Sequence, residues 1–348
     1  MFNKIIYVTV ITVIISISAG LFLPKVAHVE RTIEIERPAA TVFTLVNGFS
    51  KFSLWSPWSE RDPGVVYSFS GPATGPGAQV SWKGDPRLVG TGTQRITESV
   101  PWSLVRMRID FDQLGKASSY FQIDESGHGS RLTWGFDVNL VEGRGFFTGL
   151  LNRYFALFLD TWMGADYEQG LSRLKSLAES MPAADFSDID VEFIQAEPLD
   201  ILYVARTSRQ AAGGVSPDLA AAYQEITALM AEHSVEMASQ PMAIHRTLDA
   251  ENHEFDAAIP VTETDIPLSR NVQAGKSPAG PAIRVVYRGS YAQVGLIYEK
   301  LDAYMAVHDI RKGRVSWEHY ISDPARTSPN EAITHIYQLI KNPPPESH

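Results

Sequence analysis

The chain has 348 residues, a formal net charge of −10 and no cysteine, which excludes disulfides, thiolate metal sites and cysteine nucleophiles. Such a length is natural for two domains. The acidity lies mainly in the second half, with 13 Lys and Arg against 20 Asp and Glu over residues 191–348, and no basic stripe exists to attract a nucleic-acid backbone.

Ile5 to Leu23 is an uncharged run rich in Ile and Val, preceded by Lys4 and closed by Pro24. A helix of that length spans roughly 28 Å, about the thickness of a bilayer core. Residues 1–24 therefore read as an N-terminal transmembrane helix. A signal peptide cleaved near Ser16-Ile17-Ser18 is the competing reading. The anchor reading places a single-pass protein in the inner (cytoplasmic) membrane of a bacterium, with its domains on the extracytoplasmic side.

Val29 to Glu36 alternates as a strand, and Pro38 opens a short helix over Ala39–Asn47. Six strands separated by Gly/Pro turns are expected next: Val65–Ser70, Ala78–Trp82, Gly92–Val100, Leu104–Phe111, Ser118–Asp124 and Arg131–Asn139. One long helix is then expected from Leu150 to Ala178, with Trp162, Leu171 and Leu174 on its apolar side. This first domain, 25–180, holds Trp55, Trp58, Trp82, Trp102, Trp134 and Trp162, which could line an apolar cavity or fill a core.

Residues 181–190 form a polar linker, and the second domain runs over 191–342, followed by a tail at 343–348. The second domain is duplicated. ALMAEH at Ala228–His233 matches AYMAVH at Ala303–His308, 75 residues later, and ILYVARTS at Ile201–Ser208 parallels IRVVYRGS at Ile283–Ser290. Each copy reads strand, amphipathic helix, then strands. The fold class is α+β: an antiparallel sheet with a long C-terminal helix, then a pseudo-twofold strand-helix-strand-strand domain with a cleft suited to a small molecule.

Two resemblances follow from particular residues. VERTIEIERPAATVF, then WSPWSERDP and GADYEQGLSRLKSLAE, is similar to the polyketide cyclase/START-like superfamily of helix-grip domains. That likeness implies a curved sheet around a long helix, holding an apolar ligand between them. The duplicated unit, with SWEHYISDP and THIY at Thr334–Tyr337, resembles the gyrase-inhibitor-like effector-binding domain. In that family a glutamate among aromatic rings receives cationic, often aromatic, ligands, and the match puts this role on Glu318. Many members carry a second glutamate where this chain has His335.

On a strand, Glu318 shares a face with Ser316 and Tyr320, opposite Trp317. Either the carboxylate is exposed and Trp317 is core, or Glu318 is the floor of a pocket with Tyr320 beside it. The expected ligand-binding set is Glu318, Tyr320, Trp317, Tyr203, Tyr291, Tyr298 and Tyr337. The nine histidines show no metal spacing, and no cofactor is expected. The leading function is binding of small molecules, hydrophobic in the first domain and cationic or aromatic in the second. A hydrolase or cyclase using Glu318 as general base with Tyr320 as helper is one alternative, and an envelope scaffold is another.

Overall fold

The computed structural model describes residues 2–112, 115–208, 217–248, 253–322 and 326–342. The tail expected over 343–348 lies outside these. The chain divides after Asp185 into two compact units.

The first unit is built on a seven-stranded antiparallel sheet, ordered β1-β7-β6-β5-β4-β3-β2. Its strands are β1 (Val26–Ile35), β2 (Val66–Ser70), β3 (Gln79–Lys83), β4 (Thr91–Val100), β5 (Leu104–Asp110), β6 (Lys116–Ser126) and β7 (Gly129–Asn139). Three short helices, α2 (Ala39–Val46), α3 (Phe52–Trp55) and α4 (Pro57–Arg61), fill the long connection from β1 to β2. In β1 the alternation works as expected: Val29 and Ile35 are buried while Glu30 and Glu34 face outward.

The long helix expected over 150–178 is two helices, α5 (Phe146–Ala156) and α6 (Leu159–Glu179), broken at Leu157 and Phe158. No Gly or Pro announces the break. The two pieces serve different neighbours, since α6 packs on β1 and the short helices while α5 packs on the N-terminal helix. Arg31 of β1 ties α6 down through Asp160 at 2.9 Å and Glu168 at 2.8 Å. Tyr167 of α6 stacks on Trp134 of β7, 3.9 Å between centroids, and Trp55 meets Trp134 edge-on. The close approach needs Gly170, where a Cβ would come within 2.8 Å of the Trp134 ring. Trp55 and Trp134 are therefore core, whereas Trp162 is exposed.

Residues Phe2–Phe22 form a helix, α1. Among the described residues, however, no helix is long and apolar enough to cross a membrane, which overturns the transmembrane helix in the expected fold. Thr9, Thr12, Ser16 and Ser18 are exposed along α1 together with Ile11, Ile14, Ile15 and Phe22, and one side of its last turns, at Gly20, is covered by α5. A Cβ on Gly20 would collide with Leu150, and the Tyr154 hydroxyl donates to the Ser16 carbonyl. Nη1 of buried Arg153 donates to the carbonyls of Gly20, Leu21 and Leu23 at 3.2, 3.0 and 3.2 Å. A cation on the carbonyl end of a helix satisfies both orphan acceptors and dipole.

The second unit carries an eight-stranded antiparallel sheet, ordered β12-β9-β11-β10-β14-β15-β13-β8. Its strands are β8 (Val191–Ala196), β9 (Asp200–Ser208), β10 (Met242–Leu248), β11 (His253–Pro260), β12 (Gln273–Lys276), β13 (Gly280–Arg288), β14 (Lys312–Tyr320) and β15 (Ile333–Ile340). Helices α7 (Pro217–His233) and α8 (Val294–Val307) cover one face. The first repeat is β9-α7-β10-β11 and the second is β13-α8-β14-β15. The edge strands are exchanged: β8 precedes the first repeat yet pairs with β13, and β12 precedes the second yet pairs with β9. Phe186 and Asp188, from the expected linker, pack on this unit, with Phe186 against Tyr304 and Asp188 paired to Lys300.

Candidate functional site

The two repeats meet along β10 and β14, the central pair of the sheet. Pairing is antiparallel, with Ala243 opposite Glu318. These two residues are also 75 positions apart, the offset of the repeat. In an antiparallel pair only one position can face its own repeat equivalent, so the pseudo-twofold axis passes between Ala243 and Glu318. The carboxylate sits at the centre of the domain's symmetry.

Apolar residues flank it in register. Ala257, Ala243 and Ile336 lie on the same cross-strand row, and the α7 and α8 cores close over either side. Glu318 is only 4% exposed. A charge removed from water this far requires partners, because desolvation otherwise disfavours it by several kcal/mol. The Tyr320 hydroxyl donates to Oε2 at 2.6 Å, and His245 Nε2 lies 3.1 Å from Oε1. His245 and Tyr320 are themselves repeat equivalents, one from each central strand.

A second symmetric pair stands above the first. Tyr223 on α7 and Tyr298 on α8 are also 75 positions apart, and each has a buried hydroxyl without a well-formed hydrogen bond. Tyr298 meets the His245 ring edge-on at 6.2 Å. Burial first, and then the negative charge of Glu318, push the hydroxyls of Tyr223, Tyr298 and Tyr320 well above 10. All three stay protonated and can donate. Buried hydroxyls left unpaired beside a carboxylate are the kind of polar atoms that a ligand or water satisfies.

Of the expected site residues, the structure brings Tyr320, Tyr298 and Tyr291 to the Glu318 face. Tyr291 packs edge-on against Tyr320 at 5.3 Å and donates to the Ser322 carbonyl at 3.2 Å. Trp317, Tyr337 and Tyr203 belong to the opposite face, in a separate cluster. There Trp317 and Tyr337 stack in parallel at 4.7 Å, and Tyr203 donates to Gln273 at 2.9 Å. The cause is the strand period: Trp317 is adjacent to Glu318, and Tyr337 is adjacent to its cross-strand partner Ile336. His335 shares that opposite face, 3.4 Å from the Tyr337 hydroxyl. The reading of the sequence missed His245 and Tyr223, although the 75-residue offset applied to Tyr320 and Tyr298 points to both.

Among the described residues no group of His, Asp and Glu is arranged to hold a metal. The C-terminal unit thus holds a buried acid with a partner at each oxygen and tyrosine rings around it. Family models match both units. Residues 26–179 match the model for polyketide cyclase/dehydrase and lipid transport, and residues 189–341 match the GyrI-like small molecule binding domain. The chain thus joins an N-terminal polyketide cyclase-like domain to a C-terminal GyrI-like domain.

Solved structures resemble parts of the chain at low identity. The crystal structure of the EcmrR C-terminal domain is 12% identical, covers 44% of this chain and 98% of its own, and has a TM-score of 0.39. A hydrolase from Listeria innocua is 14% identical, covering 44% and 92%, with a TM-score of 0.33. The di-domain ARO/CYC StfQ from the steffimycin biosynthetic pathway is also 14% identical, covering 44% and 51%, with a TM-score of 0.33. A search of curated proteins gave no match.

Proposed function

We propose that the C-terminal domain binds a small organic cation, aromatic or polar, with its positive centre on Glu318. The observation that carries this reading is the buried carboxylate on the pseudo-twofold axis, held by His245 and Tyr320 and faced by the buried hydroxyls of Tyr223 and Tyr298. A cation pairs with the carboxylate, and the tyrosine rings supply faces for it. For the N-terminal domain the corresponding proposal is an apolar ligand, supported by its family's description.

The test is the thermal unfolding of the chain with benzyltrimethylammonium, with its neutral carbon isostere neopentylbenzene, and with a fatty acid. A ligand at 100 times its Kd stabilises by about 2.7 kcal/mol. The cation should raise the transition of the C-terminal domain, the isostere should not, and Glu318→Gln should abolish the difference. Equal responses of wild type and Glu318→Gln would sink the proposal. Chemical conversion of a bound compound, lost in Glu318→Gln, would move the reading from binding to catalysis.

A further inference from the structure

Resting on that reading, we propose that His245 sets the charge of the Glu318 site, so that a cation binds there in exchange for a proton. His245 and Glu318 are both buried, their side chains 7% and 5% exposed, and joined at 3.1 Å. The other oxygen of Glu318 is held by Tyr320, which occupies the equivalent place in the second repeat. At this pair of positions the two copies differ, one carrying a phenol that stays protonated and the other an imidazole, a side-chain type whose charge can change near neutrality.

Among the described residues, the other titratable groups on the elements packed around His245 are phenols or carboxylates paired elsewhere. Tyr320 on β14, Tyr298 on α8, Tyr223 on α7 and Tyr291 before α8 are phenols. Asp302, further along α8, is paired with Lys312 at 2.6 Å, and Asp256 of β11 is paired with Arg246 on the far side of β10. With His245 neutral the pair carries the negative charge of Glu318. With His245 protonated, imidazolium and carboxylate neutralise each other, and Oε1 is engaged by a charged donor. An incoming cation then meets no net attraction until that proton leaves. The exchange balances: site-H⁺ plus ligand cation gives site-ligand plus one proton released to solvent.

The sign follows directly. Where the cation must displace a proton from the pair, lowering the pH weakens cation binding, by up to about tenfold in Kd per pH unit. Where no proton is displaced, Kd is flat. A neutral ligand shows no such slope.

The experiment is calorimetric titration of the full chain with benzyltrimethylammonium from pH 5.5 to 8.5, in buffers of different ionisation enthalpy so that released protons are counted. The expected result is an acid-side slope approaching tenfold per unit and up to one proton released. In His245→Gln the slope and the proton release should disappear, whatever the change in Kd at pH 8. Nitrogen-15 NMR of the wild-type imidazoles provides a second reading that needs no variant: one histidine should lose its proton when the cation is added near pH 6. A slope unchanged in His245→Gln would place the proton on Glu318 instead and overturn the inference. A flat wild-type profile with tight binding would overturn it too, leaving the cation reading intact. Absence of binding at every pH would remove both.

Discussion

Replacing Tyr320 with phenylalanine deletes one oxygen atom and leaves the ring where it packs against Tyr291 and the α7 core. What is lost is the 2.6 Å donation to Glu318 Oε2. A hydrogen bond to a charged group contributes about 1.5–3 kcal/mol, against about 0.5–1.5 for a neutral pair. For a domain of this size each kcal/mol moves Tm by about 2–4 °C, so Tyr320→Phe should lower the melting of the C-terminal domain by about 3–12 °C. Made in a Glu318→Gln background, the same change removes only a neutral hydrogen bond, and its effect should fall by about half. The assay is urea or thermal unfolding at pH 7.5 for the four proteins of the cycle, which isolates the coupling between hydroxyl and carboxylate. If Tyr320→Phe is neutral, or has the same effect in both backgrounds, the carboxylate is not a buried charge held by this donor.

Two further outcomes are expected. Tyr223, Tyr298 and Tyr320 have folded values raised above the unfolded 10.0, so the stability they protect is intact below pH 10 and lost as pH climbs through the higher folded values. Tyrosinate absorbance should show a late-ionising group that becomes normal only when the C-terminal domain unfolds. Arg153→Met removes the cap from the carbonyl end of α1, worth about 1–2 kcal/mol in a partly buried setting, which raises local opening by about 5–30-fold. Limited proteolysis should then cut before Val26 faster, while the response to benzyltrimethylammonium stays unchanged.

Much of the fold is legible from the chain because it rests on local pattern. The alternation in VSWEHY separates Glu318 and Tyr320 from Trp317, and the matched ALMAEH and AYMAVH place two equivalent helices. The break at Leu157 and Phe158 is not legible, because helix propensity continues across it and only the different neighbours of α5 and α6 divide them. The docking of α1 is hidden for a similar reason: an apolar run says nothing about what will cover Gly20. His245 is hidden differently. In MAIHRTL it is an ordinary strand histidine, and its role exists only once β10 lies beside β14. Strand pairing over such a separation leaves no trace in either segment alone. Only the repeat offset carries it.

The exchanged edge strands and the central β10–β14 pair have a consequence for ancestry. A homodimer of single repeats could form this sheet, with β10-like strands meeting on a true dyad. At the axial position, though, whatever one subunit carried the other would carry too. A glutamate there would face its own copy across the non-identical pair that is now Ala243 and Glu318, and two carboxylates at strand-pair separation repel in a site this dry. Joining the copies in one chain frees the axial position from that constraint. One half can keep alanine while the other acquires the acid, and a symmetric frame can then hold a single, lopsided ligand.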